Sequence, residues 1–512
     1  MAARPWLIAQ LDAMHRSRGG DWYYRTFAPG RALAALEGVH VVNVDQAHRQ
    51  LSTILQQADV LIMNGVCSVD LLPVLQERRQ SKRLSVFEIN DDVQQIQPSN
   101  PLAGFFAQPD NLRLFRRLAL SSDAVQYSVP ELERLYGWLN PRGRVFLNQV
   151  VAPPPLRVAN AGAGVSIGWG GSAGHLEDMA EVAPALMAFV ATKPGVTLCL
   201  MCSDKIWSLF DALPSDRKRR TPTGSIEDYY RFVAELDIGI APNRDAGFNR
   251  ARSDVKFLEY AGWGAVPVVQ RLAPYLGSVR HGENGFLFDS TAGLISLLER
   301  LVGDAAERQR VRGQAHAYVQ RERLQAQHAV ERLAFYEQLM PEPAIGADAA
   351  GLFAELASLE GAEVAGRHVM LAHTRYESLL HDGLVLLQNS NEREQESGAR
   401  LLRDAAALEP SQALPDIFLG VQLDAEAELR SALAKNPRSV QAALALGSHL
   451  LERAQYKPAL ERFLAAAQLA PGYEMPFAHA ARAMQKLGAL KEAAEFERLA
   501  QSMAGAVVPP AK

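Results

Sequence analysis

Between Asn243 and Val269 the chain gathers Arg252, Ser253, Lys256 and Glu259 within about two helical turns. Helical spacing runs from Ser253 to Trp263, and Lys256 and Glu259, three apart, fall on one face. Ser253 is the expected N-cap, and Gly264 the expected end. Apolar runs on either side, Leu236–Ala241 and Val266–Gln270, read as strands, with Pro267 at the start of the second. A helix N-terminus at the mouth of a parallel sheet offers unpaired N–H groups to phosphate. Arg252 and Lys256 add positive charge there. One turn on, Glu259 can accept both hydroxyls of a ribose, as an acidic residue does in dinucleotide folds. The plainer reading of Lys256 and Glu259 is an i,i+3 salt bridge on a solvated face.

Other residue types invite similar questions. His175 and Asp178 form H-x-x-D at the start of a helical pattern. The imidazole can bond a sugar hydroxyl, and Asp178 can equally serve only the helix dipole. Arg25, after Trp22 and Tyr24, is placed to reach a phosphate across a cleft; a surface arginine is the alternative. Asp91 and Asp92 are a pair of the kind that holds Mg²⁺ beside phosphates, but a strand-end or acceptor-contact role is the expectation, and no metal is expected. Cys199 and Cys202 make a C-x-x-C inside the strand-like run VTLCLMCS, without a second pair. With Cys67 they give no disulfide framework and read as buried strand residues in a reducing cytoplasm.

Positioning these groups requires a framework. In the first 340 residues, apolar runs alternate with helical patterns. The expected strands are Trp6–Gln10, His40–Val44, Val60–Asn64, Leu84–Ile89, Ala124–Ser128 and Val145–Leu147. A second series is Val165–Trp169, Val196–Met201, Leu236–Ala241, Val266–Gln270 and Gly285–Asp289. Ala47–Gln57 and Ser68–Arg79 suit helices between the first strands. Runs apolar throughout fit sheets covered on both faces. The pattern predicts an α/β chain with two tandem doubly wound, Rossmann-like parallel-sheet domains and a cleft between them. VAPPPLRVANAGAG (151–164) is the expected hinge. The expected boundaries are 1–155, 156–320, a helical crossover at 321–345, and an all-α domain at 346–512.

The segment S-x-x-K-x-x-E-Y at 253–260, followed by G-x-x-P-V-V and later H-G-E-N-G-F-L-F, resembles the retaining glycosyltransferases of the GT-B fold, more narrowly the family-four type. IGWGGSAGHLEDM (167–179) is similar to that family's glycine loop, LDIGIAP (236–242) to its strand before the donor site, and GGDWYYRTFAPGRAL (19–33) to its phosphate-facing N-domain loop. FEINDDV (87–93) and VFLNQV (145–150) fall where it has comparable strands. The resemblance implies a nucleotide-sugar donor as substrate, no cofactor, and transfer with retention and without metal. It implies donor binding by Gly170, Gly171 and Glu259, with Lys256 and Arg252 near the diphosphate and a facing loop that holds Gly20, Tyr24 and Arg25; Lys256, Glu259 and Arg252 are the expected catalytic residues, and His175 and Ser253 are expected to join the donor site. One position departs from it. Relatives carry a sugar-contacting glutamate eight residues before the second one, and here that position is Ala251. A subset shows F-N-x-x-x-S instead, which Phe248, Asn249 and Ser253 satisfy, so Asp245, Asn249 or the backbone are the expected sugar contacts.

Beyond PEPAIGADAAG the chain becomes Ala- and Leu-rich and repeats. Pro437 recurs as Pro471, Gly447 as Ala481, Ala454 as Gly488 and Ala459 as Ala493, each 34 residues on. LEP (408–410), KNP (435–437) and LAP (469–471) end successive helices. This period resembles tetratricopeptide repeats, whose concave surfaces hold proteins. The expected acceptor is therefore a protein, such as a bacterial surface protein recruited by the repeats, or a glycan. The alternatives are a surface-polysaccharide transferase and a non-catalytic scaffold. Residues from 341 onward carry 16 basic and 22 acidic side chains against 37 and 35 before them, so no nucleic-acid partner is expected. No apolar run approaches the roughly 20 residues of a membrane span.

Overall fold

The computed structural model describes residues 5–13, 19–157, 164–340, 348–389 and 391–509. Its first lobe is built on β1 (Trp6–Asp12), β2 (Val39–Asp45), β3 (Val60–Asn64), β4 (Leu84–Ile89), β5 (Ala124–Tyr127) and β6 (Gly143–Val145). The second lobe uses β7 (Val165–Gly170), β8 (Val196–Met201), β9 (Lys218–Thr221), β10 (Ile238–Ala241), β11 (Val266–Gln270) and β12 (Phe286–Phe288). Two further strands, β13 (Glu363–Ala365) and β14 (His368–Met370), follow much later in the chain. The second sheet has the order β12-β11-β10-β7-β8-β9 and is parallel throughout. β1, β3 and β4 are buried along their whole length, as strands covered by helices on both faces must be. The two doubly wound lobes and the helical region after them have the expected fold class.

Some elements differ from expectation. β9 reads KRRT, with Arg219 and Arg220 exposed. It is an edge strand held by backbone pairing to β8, so a search for apolar runs passes over it. β6 lies two residues earlier than Val145–Leu147, and the helices expected at Ala47–Gln57 and Ser68–Arg79 are the shorter Leu51–Gln57 and Leu71–Gln80. The hinge is not slack where it is described: the carbonyls of Pro153 and Pro154 accept from Gln320 and His316. Residues 158–163 of it lie outside the described residues.

The crossover is two helices, Ala305–Glu322 and Gln325–Leu339, broken at Arg323 and Leu324. The second returns to the first lobe, where Phe335, Tyr336 and Met340 share an apolar cluster with Trp6, Ile8 and Val60. At the break, Arg323 spans both lobes. It donates to Gln149 and the Asn148 carbonyl on one side, and to Asp254 at 2.6 and 3.1 Å on the other. Both partners are about 95% buried.

Residues 346–512 are not one helical module, contrary to the expected boundary. Helix Ala349–Ala357 contributes Leu352, Phe353 and Leu356 to the first lobe's core. β13 and β14 form an antiparallel hairpin, turning at Gly366 (φ 62°), and β14 pairs in parallel with β2. The first sheet therefore has the order β13-β14-β2-β1-β3-β4-β5-β6. Three-residue strands are too short to show period two, which is why the sequence hides them.

Helix pairs begin at Arg375. The pairs Val440–Glu452 with Tyr456–Leu469 and Glu474–Lys486 with Leu490–Gly505 start 34 residues apart. Ala454 and Gly488 occupy equivalent turns with φ of 56° and 80°. A Cβ on Gly447 would lie 2.5 Å from the Phe463 ring, so the small residue sets how closely that pair packs. The pairs dock by their ends on the first lobe: Val440, Ala443, Ala466 and Tyr473 join its apolar cluster. Asp70 accepts from Ser439 and from the Gln441 N–H, and Arg117 reaches Glu474 and the Met503 carbonyl.

Replacing Arg323 by Met should strand the buried Asp254 carboxylate and cost about 3–5 kcal/mol. Thermal unfolding should show a midpoint several degrees lower, partly recovered by adding Asp254→Ala. A single variant that melts with the wild type would contradict the clamp.

Candidate functional site

The groups singled out around Glu259 come together where the two lobes meet. Helix Val255–Trp263 stops at Gly264, which takes φ 86°, a left-handed value natural to glycine. Its N-terminus departs from expectation. Asp254, not Ser253, is the N-cap residue, and no side chain caps the helix. Arg323 and Ser278 engage the Asp254 carboxylate, while the Ser253 hydroxyl accepts from Asn148 of the first lobe at 2.9 Å. Among the described residues, no side-chain cap is therefore present on the first N–H groups of this helix.

Lys256 and Glu259 do pair, at 3.0 Å, but not on a solvated face. Their side chains are 14% and 5% exposed, too buried for a solvated ion pair. Glu259 Oε2 also accepts from Tyr229, and Oε1 from Tyr24 at 3.1 Å. Tyr229 lies on helix Ile226–Ala234 and receives a hydrogen bond from Lys256 Nζ at 2.7 Å. Burial, then the Glu259 charge, push both phenols well above their usual range, so they stay protonated and donate. Tyr24 comes from the first lobe, so the expected facing loop does reach this carboxylate. Gly20, at the start of that segment, is exposed with open space around it.

Arg25 points elsewhere, contrary to expectation. It is 2% exposed and buried in the first lobe, on Glu88, the Phe146 carbonyl and Asn148. Its reach to the second lobe is indirect, through Asn148 to Ser253. Asp92 is likewise internal, accepting from Tyr136 and Gln95. Cys199 and Cys202 are buried thiols on different apolar clusters.

The glycine loop follows β7. A Cβ on Gly170 would meet the Tyr229 ring at 2.7 Å, and one on Gly171 the Trp169 ring at 2.6 Å. These glycines are therefore needed for aromatic packing as well as for an open backbone. His175 Nδ1 meets Asp178 at 2.9 Å. That carboxylate also accepts from the Arg244 N–H, Asn249 and Gln97 of the first lobe, so it is a structural hub and not only a dipole partner. Burial, reinforced by Arg252, lowers the His175 pKa, so the ring is neutral, donates from Nδ1 and keeps Nε2 as an acceptor.

Asn249 is fully buried, and its Oδ1 has no hydrogen-bond partner among the described residues. The same holds for Arg252 Nη1, whose guanidinium lies 5.1 Å over the Phe248 ring. Asp245 is not brought in; it is exposed and paired with Arg250. Ala251 is 1% exposed within the apolar cluster of the first lobe. A glutamate there would bring a carboxylate into an apolar cluster. Sequence reasoning missed Tyr229 and Asn148. Tyr229 belongs to a helix with ordinary amphipathic spacing, and only its contact with Gly170 marks it.

Two half-buried cations, Arg252 and Lys256, a helix N-terminus with no side-chain cap and a buried carboxylate form an array suited to a polyanion beside a diol. Among the described residues no group of three or more acidic, His or Cys side chains is placed to hold a metal, and no helix is long and apolar enough to cross a membrane.

No protein-family model matches this chain, and no curated protein matches it. Among solved structures it is similar to the Anabaena protein HepE in complex with UDP-glucose, 15% identical, with 64% of this chain and 99% of that chain covered at a TM-score of 0.48. It is similar to sucrose-phosphate synthase from Thermosynechococcus elongatus, 16% identical over 66% of this chain and 99% of that one, TM-score 0.48. A glycosyltransferase from Rickettsia africae is 9% identical over 65% and 98%, TM-score 0.47.

An exposed imidazole with a pKa near 6.5 is about three-quarters protonated at pH 6. His175 should be neutral there, as its side-chain ¹⁵N shifts would report. Because the fold disfavours its charged form, this group weakens the fold as pH falls from about 6.5 towards its lowered pKa. Arg252→Ala should move its titration upward. A wild-type midpoint at or above 6.5 would contradict the burial of the ring, and no movement in the variant would place Arg252 and His175 apart.

Proposed function

We propose that the chain is a glycosyltransferase that moves a sugar from a nucleotide-sugar donor, without metal and with retention, to a protein or glycan acceptor. The observation that carries this reading is a pair of buried atoms without a hydrogen-bond partner among the described residues, Arg252 Nη1 and Asn249 Oδ1, close in the chain to a helix N-terminus with no side-chain cap. Buried polar atoms are costly unless something bonds them, and a diphosphate with its attached sugar supplies acceptors for the first and donors for the second. The helix N-terminus, Arg252 and Lys256 take the diphosphate, and Glu259 takes the ribose hydroxyls. Ribose hydroxyls replace the tyrosine hydroxyls as donors, so the carboxylate stays satisfied.

In such a reaction negative charge builds on the leaving diphosphate. Fixed cations and backbone N–H groups, held before the reaction begins, stabilise it without reorganisation. The lobes hold donor and acceptor together and exclude water from the cleft. His175 Nε2 accepts from a sugar hydroxyl, with the ring fixed through Asp178. The helix pairs, read as tetratricopeptide-like repeats, serve the acceptor or a protein partner.

A second reading has its own support. Tyr24, Tyr229 and Lys256 already supply Glu259 with three hydrogen bonds, and Ala251 is apolar and buried. Both suit a scaffold that keeps the fold and no longer turns over a sugar donor.

Screening UDP- and GDP-sugars, with product mass spectrometry, separates the two. Lys256→Ala and Glu259→Ala should each lower turnover by about 100-fold or more while keeping the wild-type circular dichroism spectrum. Wild-type rates in both folded variants would refute the site, and failure of the wild type to bind any donor would favour the scaffold.

A further inference from the structure

The first lobe carries a cavity of about 270 Å³ that the donor site does not use. It opens at the carboxyl ends of β1 and β2 and beyond β14, where open α/β sheets hold ligands. Asp12, Asn43 and Asp45 line it from the ends of β1 and β2, Trp22 from the short helix Gly20–Trp22, and Met370 and His373 from the late segment at β14. The cavity is thus closed by chain that lies more than 300 residues from its floor.

Its walls are already fixed. Trp22 stacks on Phe27 at 5.1 Å, which sets the plane of the indole. Asn43 is held by Gln10 and by His368, at 2.6 and 2.7 Å. His373 forms an ion pair with Asp45. Carboxylates, an amide and an imidazole around one indole match a ring that shows hydroxyls at its edge and C–H bonds on its face. Two aspartates disfavour an anion. Pockets of about 300–1,000 Å³ take drug-sized ligands, so this one suits a single sugar unit.

The cavity and the donor cleft share one segment. Trp22 lines the first, and Tyr24, two residues on, bonds Glu259 in the second. We propose that this cavity binds a neutral pyranose unit of the acceptor, with His373 and Asp45 as its specificity-determining pair. The acceptor role rests on the transferase reading; the pyranose site does not. Because Thr374 caps the first helix of the pairs and Glu377 of that helix accepts from the Arg49 N–H near the end of β2, the helical region and the cavity wall are positioned together.

Ligand-observed NMR on the full chain with the methyl pyranosides of glucose, galactose, mannose, N-acetylglucosamine and rhamnose tests this. At least one should bind, and glucuronic acid more weakly. Asp45→Asn and His373→Ala should each weaken that binding at least ten-fold, with UDP affinity unchanged as a check on folding. Met370→Trp, which fills the cavity without removing a polar partner, should abolish it. Failure of every pyranoside, or equal binding by these variants, would overturn the proposal. Binding of a pyranoside without binding of UDP or GDP would instead remove the transferase reading and leave a carbohydrate site.

Discussion

A carboxylate that is 3% exposed must be held by donors or lose its charge, and Glu259 is held by Lys256, Tyr229 and Tyr24. Much of the molecule follows from keeping those donors in place. Tyr229 can reach the carboxylate only because Gly170 leaves room for its ring. Lys256 and Glu259 share a face only because the helix runs unbroken to Gly264. Tyr24 belongs to the other lobe, so satisfying one buried charge ties the two sheets together. The Arg323–Asp254 pair repeats that logic at the hinge, and it diverts the carboxylate that would otherwise cap the Val255–Trp263 helix. The uncapped helix N-terminus beside Lys256 and the interlobe clamp therefore both follow from how these charges are paired.

What was legible in the sequence was whatever repeats or is apolar throughout. Buried parallel strands announce themselves as aliphatic runs, and ten of the eleven expected strands in the two lobes fall on observed ones with small shifts at the ends; the Val145–Leu147 run overlaps its strand only at Val145. Lys256, Glu259 and Gly264 were legible because helical spacing brings the first two together and the last ends the helix. What was hidden depends on partners distant in the chain. Arg25 looks like a loop arginine until Glu88 and Asn148 are seen around it. Ser253 looks like a cap until Asn148 takes its hydroxyl. β14 is three residues long, and only the open edge of β2 makes it a strand.

The late hairpin changes the meaning of the helical region. A freely appended module would leave the first sheet ending at β2, but here the chain after the crossover completes that sheet before the helix pairs begin. The pairs then return by their ends to the first lobe, through Asp70, Arg117 and an apolar patch. Whatever the helix pairs hold is presented to the first lobe in a fixed orientation. Ala251 fits the same account, because the position is used for apolar packing between the lobes.

The central claim is that Glu259 meets a ribose. The most direct measurement is calorimetric titration of UDP, GDP and their 2′-deoxy counterparts into the wild type and Glu259→Gln. The account predicts that the wild type prefers a ribonucleotide over its deoxy form by about ten-fold, or 1.4 kcal/mol, and that the preference collapses in Glu259→Gln. A preference that survives the substitution, or none in the wild type, would contradict it.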